Sequence, residues 1–97
     1  MDKMDEKNLT IEETFALAVQ NQQKNNLQVA ENLYKEILKT NPNHVDAHNN
    51  LGVILLQSGN LQKAKSCYEK AIEIYPNHVD AHNNLGAVFK QLGEYQK

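Results

Sequence analysis

Pro42–Gly52 reads PNHVDAHNNLG, and the same eleven residues return unchanged at Pro76–Gly86, an offset of 34. Sliding the chain against itself by that offset extends the match: 15 of the 22 pairs from Pro42/Pro76 to Lys63/Lys97 are identical, including Gln57/Gln91 and Gly59/Gly93. A more divergent copy precedes these two. It runs from Ile11 to about His44 and shares Leu17/Leu51, Asn26/Asn60, Leu27/Leu61, Ala30/Ala64 and Tyr34/Tyr68 with the second. The chain is therefore a short tail followed by roughly two and a half repeats.

Each full copy carries the spacing of two amphipathic helices. Thr10-Ile11-Glu12-Glu13 has the form of a capping box, which starts a helix whose apolar residues Ile11, Phe15, Ala18 and Val19 recur every three to four positions. Leu27, Ala30, Tyr34, Ile37 and Leu38 mark a second helix, which must stop before Pro42 because proline lacks an amide donor and disfavours a helical residue before it. The same logic predicts helices near His44–Gln57, Leu61–Ile74 and His78–Leu92, with Gly59 and Gly93 supplying the left-handed residue after a helix end. Asp46 and Asp80 fall in first turns, where a negative charge favours the helix dipole.

These residues resemble the tetratricopeptide repeat, whose pattern is W-x2-L-G-x2-Y, then A-x3-F, then P on a helix-turn-helix unit. The second copy offers His48, Leu51, Gly52, Leu55, Ala64, Tyr68 and Pro76 at those places; His48 and Leu55 depart from it. The first has Thr14, Leu17, Ala18, Asn21, Ala30, Tyr34 and Pro42, and the third has His82, Leu85, Gly86 and Phe89. The resemblance implies an all-α fold, a right-handed superhelical solenoid of about 2.5 repeats. Its expected divisions are a flexible tail over residues 1–9, a divergent repeat over 10–43, a second over 44–77 and the first helix of a third over 78–97. The copy is interrupted at Lys97, so the natural protein is expected to continue past it.

Composition narrows the function classes. No apolar run approaches the ~18 residues of a membrane span, and MDKMDEKN has neither the basic start nor the apolar stretch of a signal peptide; the expected compartment is the cytoplasm. The single cysteine, Cys67, has no intramolecular disulfide partner, which suits a reducing compartment. Ten lysines, no arginine and a net charge of -2 give no basic footprint for nucleic acid. The wealth of Asn, Lys and Ile beside absent Arg suits a bacterial source.

In the family that the chain resembles, the first helix of each pair lines a concave face that receives an extended peptide. The resemblance places Phe15 and Val19, then Asn49, Asn50, Val53 and Gln57, then Asn83, Asn84, Lys90 and Gln91 on that face. Asn50 and Asn84 resemble the start of an asparagine ladder like that in the repeats of O-linked N-acetylglucosamine transferase; an Asn amide both donates and accepts, and so grips a peptide backbone whatever its side chains. The family's carboxylate clamp is not expected. Phe15, Val19 and Asp80 stand where the clamp has cations or amides, and Asp46 and Asp80 would repel a ligand carboxylate.

Other chemistry-bearing residues read as structural. His44/His48 and His78/His82 are spaced i, i+4, as zinc ligands on a helix can be, but no glutamate follows the first histidine and both pairs arise by repetition of one segment. His48 and His82 are expected in the large-residue slot between helices, and no metal or cofactor is expected. Cys67 has lysines nearby but no histidine placed as its base, so it reads as a packing residue. Tyr34 and Tyr68 take the family's aromatic core slot, and Glu31, Lys35, Lys65 and Lys70 read as solvated outer faces. The sequence presents no catalytic constellation.

The function expected is a non-catalytic scaffold for protein binding. The alternatives are the N-terminal recognition module of a larger enzyme, glycosyltransferase-like or carrying another transferase domain, and a self-assembling array. Self-assembly would use the open C-terminal end, where Val88, Phe89, Leu92 and Tyr95 leave apolar surface uncovered.

Overall fold

In a computed structural model of the chain, residues 9–93 are described. The expected flexible tail, Leu9 apart, lies outside the described residues, as does Tyr95. Five α-helices follow in order: α1 (Ile11–Gln23), α2 (Leu27–Thr40), α3 (Val45–Gln57), α4 (Leu61–Ile74) and α5 (Val79–Leu92). Each packs on the next in sequence, and α3 also meets α5. No strand occurs among the described residues.

The starts and stops have local causes. Thr10 Oγ1 accepts from the Glu13 amide at 3.0 Å while the Thr10 amide donates to Glu13 Oε1 at 3.0 Å, completing the capping box. At the far end of α3, Gly59 (φ 82°) lets the Asn60 amide turn back to the Leu55 carbonyl at 2.8 Å. Asn25 (φ 65°) does the same for α1, with Asn26 donating to the Asn21 carbonyl at 2.8 Å. Asn25 stands 34 residues before Gly59, and asparagine is among the few residues that enter the left-handed region readily.

The turn from an even to an odd helix is built by the repeated segment itself. His44 Nδ1 accepts from the Ala47 amide at 3.0 Å, and His78 Nδ1 from the Ala81 amide at 3.1 Å, each capping its helix. Those histidines precede the first helical residue, so α3 and α5 begin one residue later than expected. His48 Nε2 donates back to the Pro42 carbonyl and His82 Nε2 to the Pro76 carbonyl, both at 2.7 Å. This corrects the expectation that His48 and His82 fill a slot between helices. His48 is half-buried and His82 exposed, because each ring reaches back over its own turn.

The core runs through the helix stack as alternating small and large residues. Ala18, Ala30, Tyr34, Ile54, Ala64, Tyr68 and Val88 are fully buried, and Ile37, Leu51 and Leu55 nearly so. At Gly52 the Tyr68 ring of α4 lies directly on α3: a Cβ there would lie 2.6 Å from Tyr68 Cε1. Val88 corrects the expected open end, since it is 0% exposed. Phe89 and Leu92 are half-buried, with the Lys65 ammonium 5.5 Å from the centre of the Phe89 ring, so Lys65 is not simply solvated. Glu31 and Lys35 do pair on the surface, at 2.8 Å, an interaction that stabilises little.

Candidate peptide-binding face

The candidate residues ride on α1, α3 and α5, the first helices of successive copies. Phe15 is half-buried, its ring 5.1 Å from that of His44 and 5.9 Å from that of Tyr34. Val19 and Val53 are half-buried against the core, whereas Gln57, Asn83, Lys90 and Gln91 are exposed.

The asparagines are held rather than free. Tyr34 Oη donates to Gln22 Oε1 at 2.6 Å and accepts from Asn50 Nδ2 at 3.2 Å, which fixes the Asn50 amide with its nitrogen turned inward. Asn84 Nδ2 donates to Asn49 Oδ1 at 3.2 Å, a tie between α3 and α5. Asn49 is only 7% exposed, so it braces the face rather than lying open upon it. Among the described residues Asn50 Oδ1 and Asn84 Oδ1 take no hydrogen bond, and they occupy the same register one repeat apart. Two acceptors at that spacing suit the amide donors of an extended chain.

Gln22 and the Tyr34 hydroxyl belong to this network although the sequence pattern marks neither as functional. The second copy lacks the arrangement: Leu56 stands where the first has Gln22, Asn84 turns to Asn49, and the buried Tyr68 hydroxyl has no hydrogen-bond partner among the described residues. Burial raises the pKa of Tyr34, opposed by the Asn50 hydrogen bond, and pushes Tyr68 up to about 12, helped by the neighbouring Cys67.

Burial also pushes the Cys67 thiol up to about 11, against the pull of Lys35 and with a push from Glu31. Such a thiol is a poor nucleophile near neutrality. Both groups keep their protons in the folded chain at pH values where the unfolded chain has released them. Their contribution to stability is therefore full below the ordinary thiol value of 9.0 and is lost as pH climbs through about 11 and then 12. Urea midpoints should fall between pH 8 and pH 11, and iodoacetamide should label Cys67 slowly at pH 8. Rapid labelling under native conditions would contradict this placement of the thiol.

The four histidines commit ring nitrogens to the turns, and His78 Nε2 also lies 3.4 Å from Asp46 Oδ1. Among the described residues no three of His, Cys, Asp or Glu gather where they could hold a metal ion, and no helix is long and apolar enough to cross a membrane.

Antiparallel helix pairs stacked in register, with Gly52 and the Tyr68 ring interlocked between α3 and α4, define an α-helical repeat protein. Two family models described as tetratricopeptide repeat match the chain, over residues 45–78 and 67–97. The chain belongs to the tetratricopeptide repeat family. It is similar to solved structures of MamA: one with a TM-score of 0.84 at 26% identity, covering 88% of this chain and 50% of that one, and one at 0.83 and 26%, covering 88% and 46%. A third MamA structure, at 21% identity and a TM-score of 0.80 over 89% of this chain and 47% of the other, shows the fold alone. The chain thus spans about half the length of these structures. No curated protein matches it.

Proposed function

We propose that the chain is a non-catalytic scaffold that binds an extended segment of a partner protein along the face formed by α1, α3 and α5. The observation that carries this reading is the pair of unfilled amide oxygens on Asn50 and Asn84, whose nitrogens are anchored to Tyr34 and Asn49. Anchoring removes the rotamer freedom that binding would otherwise have to freeze, so the amides are organised before a ligand arrives. Gln57, Asn83, Lys90 and Gln91 are exposed and add polar contacts beside them, and the half-buried Phe15 ring closes the N-terminal end. The likeness to MamA supports a repeat scaffold and does not name a ligand.

The test selects peptides from a random library on the full chain and measures the best of them by fluorescence anisotropy. Replacing Asn50 and Asn84 together by alanine should weaken binding about tenfold or more, since each lost hydrogen bond contributes about 1 kcal/mol. The helix signal in circular dichroism should stay unchanged. Undiminished affinity in the double variant would move the site off this face.

A further inference from the structure

The two junctions between successive copies use the same groups differently. At the first, Asn50 Nδ2 donates to Tyr34 Oη, and that hydroxyl donates on to Gln22 Oε1. One repeat later Asn84 and Tyr68 stand at the equivalent positions, yet Asn84 Nδ2 donates to Asn49 Oδ1. The buried Tyr68 hydroxyl is left without a hydrogen-bond partner among the described residues. Two substitutions account for the difference. Phe15 occupies the place of Asn49 in the first copy and has no acceptor to offer, so the Asn50 nitrogen goes to the tyrosine. Asn49 has a carboxamide oxygen and captures Asn84, while Leu56 in the place of Gln22 gives the Tyr68 hydroxyl nothing to donate to.

Asn84 thus has two acceptors in competition, and the arrangement that leaves a buried hydroxyl unpaired carries a standing penalty. Asn50 demonstrates that an asparagine at this register reaches the tyrosine. We infer that Tyr68 Oη is a second anchor for Asn84, taken up when an extended segment occupies the face, so that the Asn84 nitrogen passes from Asn49 to Tyr68 as the segment binds. This rests on the peptide-binding reading above and adds to it a positioning residue beneath the face. The exchange turns Asn84 Oδ1 into the orientation of Asn50 Oδ1, which gives consecutive repeats matched acceptors for the regularly spaced amides of an extended chain. It also releases Asn49 Oδ1 to accept. The Asn84 amide is tied by its nitrogen in either state, so it stays ordered throughout. A ligand shifts such an equilibrium only by fitting one state better, and the matched acceptors are that better fit.

The first test needs no peptide. Crystal structures of the full 97-residue chain would be compared with that of Asn49→Leu, which removes the competing oxygen and keeps the volume of the side chain. Asn84 Nδ2 is expected within hydrogen-bonding distance of Tyr68 Oη in the variant, and Asn49→Ala serves if the leucine variant does not fold. An Asn84 amide that stays clear of the hydroxyl, or an ordered water that satisfies Tyr68 Oη in both crystals, overturns the inference. The second test measures the library-selected peptide on Tyr68→Phe. Its affinity should fall about fivefold, the worth of one ordinary hydrogen bond, while the unbound variant melts at a higher temperature than the parent. A hydroxyl with a structural role alone would leave the affinity unchanged. Unchanged affinity in Tyr68→Phe beside a loss in the Asn50 and Asn84 double variant sinks this inference and leaves the peptide face standing. Unchanged affinity in both sinks the face itself.

Discussion

Replacing Tyr68 by alanine should lower the unfolding free energy by about 3–5 kcal/mol, the range for deleting a large aromatic side chain from a packed core. The ring is 0% exposed and spans the interface between α3 and α4, so its loss opens a void that neither helix can close alone. A small domain holds only about 5–15 kcal/mol in all, and the variant should be largely unfolded at mild urea concentrations. A loss of unfolding free energy in urea titrations of less than half that size would mean that the ring is not the keystone of this interface. Removing only the hydroxyl should act in the opposite direction. Tyr68→Phe relieves a buried group that has no partner among the described residues, and should stabilise by about 1 kcal/mol. Tyr34→Phe should cost about as much, because its hydroxyl serves both Gln22 and Asn50. Opposite signs at two equivalent tyrosines are hard to produce by a generic effect of tyrosine content.

The second large effect belongs to Gly52. Its Cβ position is 2.6 Å from Tyr68 Cε1, and the ring is enclosed on its other sides. Gly52→Leu must expel that ring, at a cost of about 3 kcal/mol or more, comparable to losing the tyrosine altogether. Gly86→Ala, within the same eleven-residue motif, should instead stabilise by about 1 kcal/mol, the ordinary gain of alanine over glycine at a helix position that no described residue crowds. Thermal melts of the two variants beside the parent would decide the matter. Equal and opposite shifts are not required, but a Gly52→Leu chain as stable as the parent would refute the close packing. Ala18 holds the equivalent place in the first copy, where the corresponding Tyr34 differs in having its hydroxyl bonded to Gln22 and Asn50.

The helices were readable because their causes are local. Thr10 and Glu13 cap at a spacing of three, Pro42 and Pro76 forbid continuation, and Ala30, Tyr34 and Ile37 repeat on one face within a single helix. What sequence reasoning placed less well depends on neighbours one repeat away. The pattern puts Val88 at the open end, yet it is enclosed as its counterpart Ile54 is. Asn49 and Asn83 are identical in sequence context, but only Asn49 has α5 lying over it. The left-handed Asn25 carried a usable signal, namely its alignment with Gly59 at the repeat offset. The histidines carried none, since imidazole is an uncommon helix cap and the ring's reach to a proline carbonyl six residues back is visible only in three dimensions.

The joint made by Pro42, His44, Ala47 and His48 has a consequence for how such chains grow. The capping bond and the bond to the proline carbonyl span six residues or fewer, and the copy at Pro76–His82 reproduces both, adding one contact from His78 to Asp46. A duplicated stretch of gene therefore arrives with its own corner already solved, leaving only the faces of the new helices to adapt. Within the copied eleven letters, Pro42, His44, Ala47 and His48 serve how the protein is assembled, while the asparagines that follow them are free to serve what it holds.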